Sequence, residues 1–265
     1  MKFAIDGSMA AKAVLRRKST LGFPDSQWFY DSAPAGQGAW RCDLMVDGSI
    51  TNWSGGYPGN VSAYGPLTQA TAGSRPVQSS TGFQTQQEGY ANEGMTFDGT
   101  DDFMTYTGVP ACLSVTTADG EVWFVVRQEA LVADTTTRTL FSYGGTTAGS
   151  YRAIERRVVD GVNRLVISDG LTDLFDEWVD FSGVHFIRAW WEAGNFGYDM
   201  NGSPGASATF IGSTGTTITC LGINTTQNGG TWHGVVAQIL MSPVIRTASD
   251  TANNLSSPAR YYYRQ

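Results

Sequence analysis

The side chains most able to do chemistry here are carboxylates, tryptophans and two histidines, and their spacing decides what each could do. Asp173, Asp176, Glu177 and Asp180 crowd one stretch. Their spacings of three, one and three suit a turn or a helical edge, whereas a double displacement at a glycosidic bond needs two carboxylates leaving one face at short range. No strand-like stretch carries acids at alternate positions, so the reading is a protein that is not an enzyme. Asp6-Gly7-Ser8-Met9 holds the residue types of an esterase nucleophile block in altered order. His185 and His233 both fall in strand interiors rather than in a loop that could present a base. No glycine loop with a following lysine offers a phosphate cradle. Cys42, Cys112 and Cys220 are odd in number and widely spaced, which fits neither a disulfide framework nor a zinc site. They read as buried thiols of a protein folded in the cytoplasm.

The tryptophans point elsewhere. In Glu121–Gln128 the phase Val122, Phe124, Val126 is wholly apolar, so Trp123 and Arg127 fall on the opposite face. In His185–Glu192 the charged phase is Arg188 and Glu192, which puts Trp190 between them on the outer face. The same argument applied to Trp232–Gln238 leaves Trp232 outward. Sugar rings stack their CH faces on outward aromatics, with orientation set by polar neighbours. The candidate carbohydrate-binding residues are therefore Trp123, Arg127, Arg188, Trp190 and Trp232, joined by Tyr57 and Tyr64 from a long loop.

Strands must carry these residues. Charged residues make up only 15% of the 265, and 32 glycines punctuate the chain as often as short strands need turns. Period-two segments recur at 121–128, 138–143, 151–159, 164–168, 185–192, 197–200, 217–223 and 232–241. Asp160-Gly161, Asp169-Gly170, Asn201-Gly202 and Asn228-Gly229-Gly230 separate several of them. Earlier strand candidates are 27–30, 43–46 and 50–53. Phe97-Asp98-Gly99-Thr100-Asp101-Asp102-Phe103 turns the chain from an irregular front section into this run, with aromatics anchoring the strand ends and carboxylates at the rim. The fold class is all-β, an antiparallel β-sandwich or jelly roll.

Residues 1–25 read as a basic attachment arm, 26–250 as the sandwich and 251–265 as a C-terminal tail. Lys2, Lys12, Arg16, Arg17 and Lys18 against Asp6 leave the first twenty residues at +4, while the whole chain stands at −7. That acidic balance argues against nucleic acid as a partner, because phosphate contacts need clustered cations. No long apolar run follows the basic residues, so neither a signal peptide nor membrane insertion is expected.

Three motifs in order carry a resemblance: Trp53 with its loop, then Thr68-Gln69-Ala70-Thr71-Ala72-Gly73-Ser74-Arg75-Pro76, then Met95–Phe103 with Phe97-Asp98-Gly99-Thr100-Asp101-Asp102-Phe103. Thr139–Gly145, Tyr198–Gly202, Leu221–Ile223 and Trp232–Ile239 follow. Together, over about residues 40–245, the chain resembles the concanavalin A-like lectin/glucanase superfamily, in particular the laminin-G-like jelly-roll domains of phage and gene-transfer-agent virion proteins. The resemblance implies a virion decoration protein, such as a head spike, head fibre or tail-associated adhesin, that binds host-surface or capsular polysaccharide. Other virion proteins and further copies of the chain, in a homo-oligomer, would be its partners. A purely structural capsid or fibre subunit, or a glycan-cleaving enzyme, are the alternatives. No cofactor is required, but the resemblance also implies a possible Ca2+, for which Asp98, Asp101, Asp102 and Asn201 are the candidate oxygen donors.

Overall fold

The computed structural model describes residues 38–41, 48–50, 65–79, 94–110, 113, 120–128, 135–175, 184–192, 194–200, 203–209, 215–227 and 229–242. In chain order the strands are β1 (Gly38–Arg41), β2 (Ser49–Ile50), β3 (Leu67–Thr68), β4 (Val77–Ser79), β5 (Gly94–Asp98), β6 (Met104–Thr107), β7 (Gly120–Gln128), β8 (Arg138–Gly144) and β9 (Tyr151–Val159). They continue as β10 (Val162–Ser168), β11 (Asp173–Phe175), β12 (Val184–Glu192), β13 (Asn195–Met200), β14 (Ser203–Thr209), β15 (Ile218–Leu221), β16 (Gly230–Thr231) and β17 (His233–Ser242). The segments with the clearest period-two alternation form the long strands, because alternating apolar residues fit a surface buried on one side.

Two sheets result. An eight-stranded sheet runs β14-β13-β12-β7-β17-β5-β4, with β1 also on β17. A nine-stranded sheet runs β11-β10-β9-β8-β15-β6-β3-β2, with the short β16 on β8. All pairings are antiparallel except β16 with β8. Asp160 and Gly161, both at positive φ, close the β9–β10 hairpin in the way a two-residue primed turn requires.

The core lies between the sheets and is bridged by aromatic pairs. Phe124 of β7 meets Phe141 of β8 with ring centroids 5.2 Å apart. Tyr143 of β8 meets Trp191 of β12 edge-on at 5.4 Å and 87°. Such geometry suits the ring quadrupoles, and each pair contributes about 1 kcal/mol beyond its buried area. Val122, Phe124 and Val126 face this core, as the alternation of β7 predicts.

The Phe97–Phe103 turn joins β5 to β6, as expected, and because these strands lie in different sheets it passes the chain from one layer to the other. One expectation needs correction. Trp232 is inside the core at 1% exposure, not outward. Its phase-mate Val236 is also core, and then the register of β17 against β7 shifts between Val236 and Gln238, after which Ile239 and Met241 take over the core side. A bulge adds one residue and inverts every later side chain, so a phase counted across it is wrong on one side. Here β17 also exchanges partners: His233–Val236 pair with β5, and Gln238–Met241 pair with β1.

Candidate functional site

The outer face of the eight-stranded sheet gathers four of the sequence candidates. On β7, Glu121, Trp123 and Arg127 alternate with the core residues. Across the β7–β12 ladder Trp123 stands opposite Arg188 and Glu121 opposite Trp190. Across β12–β13, Arg188 stands opposite Asp199 and Trp190 opposite Gly197. Directly opposed residues share a face, so Trp123, Arg127, Arg188 and Trp190 belong to one surface.

That surface is not uniformly open. Trp123 and Arg188 are 4% and 3% exposed, and Glu121 is fully buried. The Arg188 guanidinium lies 5.5 Å from the Trp123 ring centroid. Its Nε donates to Glu121 Oε2 at 2.7 Å, and its Nη1 donates to Asp199 Oδ2. One cation held by two buried carboxylates and stacked on an indole is satisfied from within the protein. The expectation that Trp123 and Arg188 present themselves to a ligand is therefore replaced by a buried charge cluster beneath the surface.

Trp190 is different, being only partly buried. Its indole lies against the backbone of Gly197, where an added Cβ would come within 2.5 Å of Cζ2. A side chain at 197 would therefore lift the ring from its seat. Around it on the same face stand exposed polar residues: Glu192 two positions along β12, Asn195 opposite Glu192, Ser207 opposite Gly197, and Thr209 opposite Asn195. Thr209 Oγ1 donates to Asn195 Oδ1 at 3.2 Å. An indole platform rimmed by hydroxyl, amide and carboxylate groups can stack one apolar ligand face and hydrogen-bond its edges. Glu192 was visible as a phase-mate of Trp190. Asn195, Ser207 and Thr209 were missed because β14, Ser-Pro-Gly-Ala-Ser-Ala-Thr, lacks the β-branched alternation that marks a strand. The Asn201-Gly202 pair that precedes it in the sequence was the available signal.

Arg127, half-buried, sits opposite Val184 at the far end of the β7–β12 ladder from the Glu121–Trp190 pair. Six strand residues span about 20 Å, so it forms no single small site with Trp190. Tyr57, Tyr64 and Asn201 lie outside the described residues, as do Asp176, Glu177, Asp180, Cys42 and Cys112. Asp173, on β11, receives Arg157 Nη1 at 2.5 Å, and Arg157 also holds buried Glu155. Cys220 is a buried free thiol whose pKa burial pushes up to about 12, which makes it inert.

At the rim, the structure brings Asp98, Asp101 and Asp102 together, one oxygen of each lying within 4.8 Å of the others. Asp98 Oδ1 accepts the N–H groups of Thr100 at 2.7 Å and Asp101 at 3.3 Å. Asp102 is buried and its Oδ2 accepts the Asp98 N–H at 2.8 Å, while Ser74 Oγ donates to Asp101 Oδ2 at 2.9 Å. Burial works against ionisation of Asp98, yet the N–H groups of Thr100, Asp101 and Asp102 outweigh it and hold its carboxyl below the usual range. For Asp102, burial raises the pKa, the Asp98 N–H opposes that rise, and the charges of Asp98 and Asp101 add to it. Gly99, at φ +75°, lets Arg138 Nη1 reach its carbonyl at 2.7 Å; a Cβ there would meet both Arg138 and His233 at 2.7 Å.

The Gln69–Arg75 motif packs against this same turn. Gln69 Nε2 donates to Phe103 O at 3.2 Å, the Phe103 N–H donates to Ser74 O at 3.3 Å, and Arg75 Nε donates to Gln69 O at 2.8 Å. Two motifs separated in sequence thus form one clamp that fixes the passage between sheets. The donor chemistry of the three carboxylates suits a hard cation, supplying three of the six to eight oxygens calcium takes.

No protein-family model and no curated protein matches the chain. Among solved structures it is similar to domain 4 of the GH43 extracellular arabinanase AbnA from Geobacillus stearothermophilus, in complex with arabinotriose. The identity is 15%, covering 82% of this chain and 97% of that one, with a TM-score of 0.51. It is similar to the botulinum neurotoxin type G receptor binding domain at 11% identity, covering 84% of this chain and 51% of the other, with a TM-score of 0.53. Trypanosoma rangeli sialidase in complex with the inhibitor DANA matches at 10% identity over 95% of this chain but 39% of its own, with a TM-score of 0.56. At such identities what is shared is the fold, an antiparallel β-sandwich.

Proposed function

We propose that this chain is a non-catalytic carbohydrate-recognition sandwich whose binding platform is Trp190 on the outer face of the eight-stranded sheet. The observation that carries the reading is a partly exposed indole seated on Gly197 with exposed Glu192, Asn195, Ser207 and Thr209 on the same face. A pyranose or furanose ring would stack its CH face on the indole, and its hydroxyls would exchange hydrogen bonds with the rim. Support for recognition rather than cleavage comes from the acids of this face: Glu121 and Asp199 are held by Arg188 below the surface, so exposed Glu192 has no second available carboxylate beside it among the described residues. The arabinanase domain of the same fold, with its arabinotriose, is a further support.

The setting we propose is a virion, with the chain displayed as a spike, fibre or tail adhesin and the ligand a host-surface polysaccharide. The order of the Gln69–Pro76 and Phe97–Phe103 motifs is the support for that setting. A single shallow platform binds weakly, and display in many copies on a particle would raise avidity by orders of magnitude. Co-sedimentation of the chain with intact particles is the outcome expected, and its absence from purified particles contradicts the setting. Calcium is part of the proposal at the rim, where Asp98, Asp101 and Asp102 would hold it and its charge would relieve the repulsion among them. Millimolar CaCl2 should then raise the melting temperature and EGTA should reverse the rise; an unchanged melting temperature removes the ion from the reading.

The decisive test is Trp190→Ala presented multivalently on a glycan array. Binding should fall tenfold or more, with a melting temperature within about 2 °C of the parent, since the ring lies on the surface and not in the core. Arg127→Ala, at the other end of the face, should leave binding intact. Equal binding by Trp190→Ala and the parent overturns the site.

A further inference from the structure

We propose that the Trp190 platform selects uncharged saccharides over carboxylated or sulfated ones, and that Glu192 is the residue that sets this selectivity. The inference rests on the carbohydrate-binding reading above. It follows from the charges that share the face. Glu121 stands opposite Trp190, Arg188 and Glu192 lie two positions to either side of it on β12, and Asp199 stands opposite Arg188. Arg188 is engaged by Glu121 and Asp199 together. One cation against these two carboxylates and Glu192 leaves the platform at −2.

Among the described residues of this face, the nearest further cations in register are Arg41 of β1, opposite Gln238, and Arg127, opposite Val184, each about 20 Å from Trp190. That is more than twice the Debye length at physiological ionic strength, so they offer no compensation through solvent. β14, at the open edge beside the platform, brings only Ser, Pro, Gly, Ala and Thr. Residues two apart on a strand face are about 7 Å apart, which places the exposed Glu192 carboxylate within reach of any substituent on a ring stacked over Trp190. At that distance, in a water-like medium, one like-charge pair weakens binding about threefold, and more where the ligand displaces solvent. Neutral and N-acetylated sugars escape this repulsion, and amino sugars gain from it.

The test uses the full chain on an array that pairs neutral oligosaccharides with uronate-bearing, sialylated and sulfated counterparts of the same backbone. The parent should favour the neutral member of each pair threefold or more. Glu192→Gln should shift the anionic-to-neutral ratio about threefold toward the anionic ligand, and Glu192→Lys about tenfold. Raising NaCl from 50 to 500 mM should narrow the parent's preference, leave Glu192→Gln nearly flat, and shrink the opposite preference of Glu192→Lys. Equal or stronger binding of anionic ligands by the parent, or a ratio unmoved by both substitutions, overturns the selectivity while leaving the platform standing. Failure of the parent to bind any glycan, with Trp190→Ala indistinguishable from it, overturns the platform and the selectivity together.

Discussion

Arg188 illustrates how one residue type reads differently alone and in place. Outward phase and positive charge suggest a ligand-binding cation, yet its guanidinium is spent on Glu121 and Asp199 and stacked on Trp123. Removing one partner of a buried pair leaves an uncompensated charge, whereas replacing the whole set by apolar residues does not. Arg188→Met should therefore destabilise the protein by about 3–5 kcal/mol in urea unfolding followed by fluorescence. The triple variant Glu121→Leu, Arg188→Met, Asp199→Leu should recover most of that loss. A single variant as stable as the parent would show that the cluster contributes nothing.

At the scale of elements, the rim turn joins two layers and holds three acids whose titrations oppose one another. Asp98, lowered by its N–H partners against the pull of burial, contributes stability above the ordinary carboxylate range that is lost as pH falls through its folded value. Asp102, raised mainly by burial, contributes in the opposite sense: its stability is fully present below about pH 4 and is lost as pH rises through its folded value. Asp102→Asn keeps an acceptor for the Asp98 N–H but does not ionise. Its stability relative to the parent should therefore grow in its favour as pH rises from about 4 toward neutrality, and Asp98→Asn should instead lose its deficit below about pH 4. Urea midpoints measured across that range check both signs; parallel curves for parent and Asp102→Asn would contradict the assignment.

At the scale of the whole molecule, the two sheets share one core, in which Phe124–Phe141 and Tyr143–Trp191 cross the interface. Neither sheet buries its apolar face without the other, so the sandwich should unfold as one unit. Tryptophan fluorescence and far-UV circular dichroism should give coincident urea transitions, and separated midpoints would show that the sheets melt independently. Trp190 lies on the opposite side of its sheet from that core, so substitutions there should leave this transition in place.

The amino-acid sequence by itself determined the strands and most of the turns, because period-two alternation and Asp-Gly pairs act over a few residues. β7, β8, β9, β10, β12, β13, β15 and β17 all fall where the alternation places them, and the Trp123 and Trp190 faces follow from it. The Gln69–Arg75 and Phe97–Phe103 motifs were legible as a fold signature, though not as two halves of one clamp. Tertiary structure alone decided the rest. A bulge in β17 breaks the alternation between core-facing Trp232 and the later residues of the strand, and sheet pairing made the rim turn a passage between layers. Ion pairing across three strands withdrew Arg188 and Trp123 from the surface, and a strand without strand-like composition supplied the far rim of the Trp190 platform. Each of these depends on which strands become neighbours, and that choice is made by contacts far apart in the chain, where local spacing carries no signal.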